Sequence, residues 1–310
     1  MNKLSALAFQ TVHQHLLEHG RPLDQARYRF YFERGNGADV LAELAKFQNA
    51  DGGFGHALEP DLRTPASSAV ATATGCAFLR AVAASPTEPV VERAIDYLVT
   101  TYDGDRQRWP IVPPAVEEAP HAPWWTYAES EQNFGGSLIN PTASIAGYMY
   151  DYPDLTPPFL LPEVSDALLS RLDRAPDQME MHDLQCWIDL AQARELPEPV
   201  RQQVVAKLRR AAPATIERDP QKWASYGLLP LDVAPSPHSF LIEVIDDALI
   251  DANLDFWIDQ LQPDGSWPIP WNWATVDEQA WAQAERAWKG YQIVNKLLVF
   301  RAYNRIEGGS

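Results

Sequence analysis

Within the run His56-Ala-Leu-Glu59-Pro-Asp61-Leu-Arg63-Thr64 stand two carboxyl groups, an imidazole and a guanidinium. A carboxyl group can give up a proton usefully at neutral pH only if burial raises its pKa and hydrogen bonds hold the protonated form. Glu59 and Asp61 are therefore candidate acids, provided that the fold buries them. His56 could orient such an acid or serve as general base. Arg63 stays charged at any physiological pH, so it can hold an anion but cannot supply a proton. The same run has an architectural reading, in which Asp61 pairs with Arg63 or joins Thr64 at the positive end of a helix. The sequence leaves both open.

Aromatic residues form the second constellation. Trp223, Trp267, Trp271, Trp273, Trp281 and Trp288 fall in the C-terminal third, and Trp124 and Trp125 lie in a proline-rich stretch. Indole faces attract cations, and they also make an apolar cavity wall or a platform for a sugar. Trp271-Asn272-Trp273, bracketed by Pro268 and Pro270, is expected at a cavity mouth. Trp124, Trp125, Trp223 and Trp267 join it as candidate substrate contacts, together with Arg63 and His182.

Metal chemistry has less support. His182 and Cys186 are four apart and could share a helix face with Asp183 nearby, but no third zinc ligand accompanies them at suitable spacing. A structural helix face is the expectation there, as for His13, His15 and His19. No metal or other cofactor is expected.

Charge narrows the partners. The 310 residues include 25 basic and 42 acidic side chains, for a net charge of -17. Nucleic acids and anionic membrane surfaces need basic patches, so neither is expected as a partner. Cys76 and Cys186 sit in apolar helical contexts and read as buried thiols of a reducing compartment. Gln10, His13, Gln14 and His15 interrupt what would be the apolar core of a signal peptide, and no run reaches the roughly 18 apolar residues of a membrane span. The expectation is a cytoplasmic, non-spanning protein.

Elements that would position these residues are helical. Apolar residues recur at helical spacing almost throughout, and strand-like alternation is nearly absent. The pattern gives an all-α chain of twelve helices in six hairpins. Thr64 as N-cap with Pro65 at the first helical position is expected to open a helix of small residues after the acidic run. Thr87 and the pair Asn140-Pro141 predict two further starts, and helices are expected over Asp219 to Tyr226, Leu241 to Leu261 and Asp277 to Tyr303. No flexible linker divides the chain, so residues 1–310 read as one domain. The stretch 103–137 breaks the rhythm with repeated prolines and aromatics; it is a candidate lid, or a loop that packs its aromatics on the body.

Two turns suggest a repeat. Gln48-x-x-x-Gly52-x-Phe54 resembles the Gln-x-x-x-Gly-x-Trp/Phe repeat of squalene-hopene cyclases and of protein prenyltransferase β-subunits, and Asp264-Gly265-Ser266-Trp267 resembles a second copy, with Gln262 one residue closer. The resemblance implies an (α/α)6 toroid around a central cavity. In these repeats glycine makes the tight turn, while the glutamine and aromatic residue staple neighbouring helices. In the proton-initiated cyclases a Pro-Asp-x-Asp-Asp-Thr segment follows such a turn and supplies the acid. Here Pro60, Asp61 and Thr64 match it, and Arg63 occupies the acid's position.

Three functions are consistent with these residues. The first is a metal-free, terpenoid-cyclase-like or prenyltransferase-like protein that takes an isoprenoid or other apolar substrate into an aromatic cavity, with Asp61 and Glu59 as its acids. The second is a carbohydrate-active enzyme, hydrolase or lyase, since α/α toroids and paired carboxylates also serve sugar chemistry. The third is a toroid without catalysis that binds a lipid or a protein.

Overall fold

The computed structural model describes residues 2–134, 136 and 138–308, with Glu131 by its backbone only. The chain is all-helical, as its periodicity predicts. The α-helices are α1 (Ala6–His19), α2 (Pro22–Phe32), α3 (Gly37–Leu44), α4 (Ala69–Ala81), α5 (Pro89–Thr100), α6 (Ser130–Asn133), α7 (Thr142–Tyr150), α8 (Leu160–Arg174), α9 (Met181–Ala191), α10 (Glu198–Thr215), α11 (Pro230–Val233), α12 (Asp247–Asp259) and α13 (Glu278–Ala302). No strand occurs among the described residues, only isolated bridges. No helix among them is long and apolar enough to cross a membrane.

Neighbouring helices pack in an order that follows the chain. α1 lies on α13, α13 on α2, α2 on α3, α3 on α4, and α4 on both α5 and α7. α7 in turn meets α8 and α9, which both meet α10, and α11 packs on α12. Leu4 donates its amide to the Arg305 carbonyl at 2.7 Å, and Arg305 binds Asp251 and Asp255 at 2.8 and 2.6 Å, joining the two ends.

Small residues set the closest approaches. Every residue of α7 is buried, and a Cβ on its Gly147 would stand 2.8 Å from the backbone of Asp189 and Leu190 in α9. Such contact excludes water from the junction, so the charges there must satisfy one another. Arg80 binds Asp151 at 2.5 Å and the Asp189 carbonyl at 2.8 Å, while Ser144 and Tyr148 donate to the Asp189 carboxylate.

Several boundaries depart from the expected ones. α4 starts at Ala69, with the Ser68 hydroxyl accepting from the Ala71 amide; Thr64 does not cap it. The reason is upstream: the chain from His56 to Ser67 is tied down by long-range bonds, including His56 N–H to Thr64 O and Ser68 N–H to Phe54 O, so it cannot enter a helix until they end. Thr64 Oγ1 instead accepts from the Ala66 amide. α5 begins at Pro89 after Glu88, not at a Thr87 cap, and α7 at Thr142, beyond the cis Asn140-Pro141 bond. The helix expected over Asp219 to Tyr226 is a 3-10 turn at Pro220–Lys222. The one expected from Leu241 starts at Asp247, where Asp246 caps the Ala248 amide. α13 matches its expected span, opened by the Asp277 side chain on the Ala280 amide.

The stretch 103–137, of which Gly135 and Ser137 lie outside the described residues, runs against the acidic segment. Ala122 donates its amide to the Asp61 carbonyl at 2.9 Å and Arg63 donates to the Pro120 carbonyl at 3.1 Å. Ile111, Val112, Val116, Ala122, Trp125 and Phe134 bury themselves with Leu62, Trp273, Trp281 and Ala284 in a second, smaller core. Trp109 goes the other way, into the main core, and donates to the Leu98 carbonyl at 2.7 Å.

Candidate functional site: an aromatic cavity and the carboxyl pair behind its wall

Two matching turns set the frame. Asn49 donates its amide to Gly53 O and Gly52 to Asn49 O; Gln262 donates to Ser266 O and Gly265 to Gln262 O. In each, an aspartate accepts from the backbone two residues on, Asp51 from Gly53 at 3.0 Å and Asp264 from Ser266 at 2.9 Å. Gly52 and Gly265 have φ of 91° and 86°, which side chains rarely adopt. Each glycine presses on a helix backbone: a Cβ at Gly52 would lie 2.2 Å from Arg93 O on α5, and one at Gly265 2.5 Å from Thr11 O on α1. Gln48 completes the first turn, donating to Gly52 O and Val90 O at 2.8 and 2.9 Å and accepting from Arg93.

The first turn delivers the chain to Glu59 and Asp61, which are 7% and 2% exposed. Trp273 and Trp271 donate their indole N–H groups to the two Asp61 oxygens at 2.7 and 3.0 Å. Trp288 directs its indole nitrogen at the same carboxylate without closing a hydrogen bond. Burial raises the Asp61 pKa, and the indole donors and Arg63 oppose the rise. Glu59 is pushed well above the carboxyl range by burial and then by the Asp61 charge, against the pull of backbone amides and Arg21. Its Oε2 has no hydrogen-bond partner. An unpaired buried oxygen is costly as an anion, and burial and the Asp61 charge both favour the protonated form of Glu59. Arg21, held by Asp24 at 2.7 Å and by the Leu58 carbonyl at 3.2 Å, stands beside them.

Beyond Trp271 and Trp288 opens a cavity of about 830 Å³, walled by the rings of Trp223, Tyr226, Phe256, Trp257, Trp267, Trp271, Trp288 and Tyr291. The rings come from α12, α13, the segment between them and the segment that precedes α11. Contacts between them are edge-on: Trp271 with Trp288 at 5.2 Å, Trp288 with Tyr291 at 5.7 Å and Tyr226 with Trp271 at 5.2 Å between centroids. Edge-to-face packing at such separations is the favoured arrangement of aromatic pairs. Gln185, Gln292, Asn295, Asp232 and Lys296 add polar groups to the lining.

A polar relay meets the cavity at Tyr226. Glu180 and His182 Nδ1 are 2.7 Å apart, and His182 Nε2 is 2.7 Å from the Tyr226 hydroxyl. Burial, followed by the charges of Glu180, Glu59 and Asp61, raises the Tyr226 pKa and keeps the phenol protonated. Burial is the largest single influence on Glu180, but the His182 hydrogen bond and charge, with the Asp183 and His182 amides, together outweigh it and the carboxyl ends below its usual range. Tyr226 is 53% exposed and lines the cavity.

The residues singled out by type divide among these places. Asp61, Glu59, Trp271 and Trp273 come together. Arg63 stands near them and donates to Gln283 at 2.7 Å. His56 is exposed and bonded to Asn49 at 2.8 Å, outside the pair. Trp223, Trp267 and Trp271 line the cavity; Trp273 and Trp125 are buried in the smaller core, and Trp124 packs on it. His182 reaches the cavity through Tyr226, while Cys186 is buried with its thiol facing Asn140 Oδ1 at 3.8 Å. No group of three or more His, Cys, Asp or Glu placed to hold a metal forms among the described residues. Sequence reasoning passed over Tyr226, Asp232 and Lys296. The signal for Lys296 was available: with Gln292 and Asn295 it lies on the α13 stripe that also carries Trp288 and Tyr291.

No family model matches the chain, and no curated protein matches it significantly.

Proposed function

We propose that this chain is an α/α toroid of the terpenoid-cyclase and prenyltransferase kind that binds an apolar, isoprenoid-like molecule in its aromatic cavity. The observation that carries the reading is the convergence of eight aromatic side chains from separated stretches on one cavity of about 830 Å³. A ligand there would be desolvated against ring faces, and a cation developing on it would meet indole π-systems. Asp61 acts from behind that wall as a positioning residue. Its charge fixes the Trp271 and Trp273 indoles and draws their N–H groups back, which leaves electron density on the Trp271 face. Glu59 is pushed toward its protonated form behind the wall, and Tyr226, with His182 and Glu180 behind it, is the wall hydroxyl placed to hydrogen-bond a ligand.

Titrating the protein with citronellol while following tryptophan fluorescence tests binding. Saturable quenching is expected, weakened about three- to tenfold in Trp288→Ala, the value of one aromatic contact. Incubation with linear isoprenoids, followed by analysis of extracts for cyclised products, tests turnover. The lining amides Gln185, Gln292 and Asn295 favour a second reading, in which the rings stack on a sugar. Quenching by oligosaccharides with none by citronellol would replace the first reading with that one.

A further inference from the structure

The cavity holds an amine that the reading above does not use. Lys296 projects from α13 with its Nζ 3.6 Å from the centroid of the Trp257 ring, and the Asp232 side chain of α11 lines the same cavity. Among the described residues Lys296 forms no ion pair, whereas Lys46, Lys207, Lys222 and Lys289 each have a carboxylate within 4 Å. Burial, partly offset by the Asp232 charge, lowers its pKa to about 8. Asp232 keeps an exposed surface, yet the protein crowded around its carboxyl raises its pKa, against the Leu229 amide and Lys296. An amine lowered this far is partly neutral near pH 8 and free to act as a nucleophile.

We propose that Lys296 is a carbonyl-capturing site, forming an imine with an apolar aldehyde or ketone bound in the cavity, with Asp232 as its acid and counter-ion. This rests on the reading of the cavity as a site for apolar ligands. The nitrogen lone pair attacks the carbonyl carbon, and proton transfer gives the carbinolamine. Asp232 then protonates the departing hydroxyl, water leaves, and the nitrogen lone pair forms the C=N bond. The products are an iminium cation, a carboxylate and one water, with no net oxidation. The iminium lies where the ammonium lay, over the Trp257 face, with the Asp232 charge across the cavity. Desolvated lysines beside apolar walls are the ones suited to such capture.

Citronellal, an aldehyde without a conjugated double bond, is the probe, with cyanoborohydride to reduce any imine. The expected product is one adduct, heavier than the protein by the aldehyde less its oxygen atom, mapped to Lys296 and not to Lys3, Lys46, Lys207, Lys222 or Lys289. Lys296→Arg and Lys296→Met should abolish it and still bind citronellol. Asp232→Asn should slow it at least about tenfold, and excess citronellol should suppress it in the unsubstituted protein. Labelling spread over the other lysines, or unchanged in Lys296→Arg, with citronellol binding intact, would overturn the imine site alone. Absence of both the adduct and citronellol binding would overturn the apolar-cavity reading with it.

Discussion

The Trp271 indole and the Asp61 carboxylate, 210 residues apart in sequence, meet at 3.0 Å on the far side of the cavity wall. Trp273 takes the other oxygen at 2.7 Å. The carboxylate is thus the shared acceptor that gives Trp271 and Trp273 their orientations, one to the cavity and one to the smaller core. The chemistry suggested by an acidic run and the wall suggested by a tryptophan cluster are two halves of one arrangement.

Asp61→Ala should leave one buried and one half-buried indole N–H without an acceptor. Each orphaned donor costs about 1–3 kcal/mol, so a loss of roughly 2–5 kcal/mol in denaturant unfolding is expected, with a changed near-ultraviolet dichroism from Trp271 and Trp273. Asp61→Asn keeps one acceptor oxygen and should lose about half as much. A loss below 1 kcal/mol in Asp61→Ala would mean that the indoles find other acceptors.

Glu59 makes stability depend on pH in an uncommon direction for a carboxyl group. Its folded pKa lies above the unfolded value because of burial and then the Asp61 charge, so the folded state binds more protons between the two. Stability from this group is complete below the unfolded value near pH 4.3 and is lost as pH rises through the folded one. Glu59→Gln does not ionise, so its stability relative to the unsubstituted protein should climb by about 1.4 kcal/mol per pH unit until Glu59 deprotonates. Paired unfolding curves from pH 4 to 9, as roughly set by these values, check this; parallel profiles would show that Glu59 is not held protonated.

What the sequence made legible follows from how local each feature is. The buried face of α5, Val90, Val91, Ala94, Ile95 and Leu98, is written in its spacing, and so is the cap of α13 at Asp277. Helix starts failed where distant contacts chose among equivalent signals. Thr64-Pro65 has the chemistry of a cap, yet bonds from Phe54 and Pro120 hold the chain extended there and pass the role to Ser68. The turn at Gly265 was readable from Asp-Gly-Ser-Trp, because its geometry is a property of those residues. Tyr226 was not, since its importance comes from His182 and Trp271, neither near it in sequence.

The two matching turns should fail alike when their glycine gains a side chain. Alanine at Gly265 must adopt φ near 86° and place its Cβ 2.5 Å from Thr11 O. Backbone strain of this kind costs about 1–3 kcal/mol before the clash is relieved. Gly265→Ala and Gly52→Ala should each lower stability by at least that much, while Gly104→Ala, which meets only the edge of Tyr102 at 4.0 Å, should stay within about 0.5 kcal/mol of the unsubstituted protein. Comparable losses at all three positions would deny the turns their role in holding α5 and α1.

Lys296 has the opposite linkage to Glu59. Its folded pKa is lowered to about 8 by burial, with Asp232 resisting, so between about pH 8 and the unfolded value near 10.4 the unfolded chain binds more protons. The group costs stability while charged, and the cost is recovered as pH rises through that window. The groups that face it are the Asp232 carboxyl and the Trp257 ring, and the ring favours the ammonium. Lys296→Met carries no titrating group there, so its advantage over the unsubstituted protein should be greatest near neutrality and shrink by up to about 3 kcal/mol by pH 11, the span between the two pKa values. An advantage that stays level across this range would show that Lys296 keeps an ordinary pKa in the cavity. One that grows with pH would show that Trp257 and Asp232 hold the ammonium more firmly than water does.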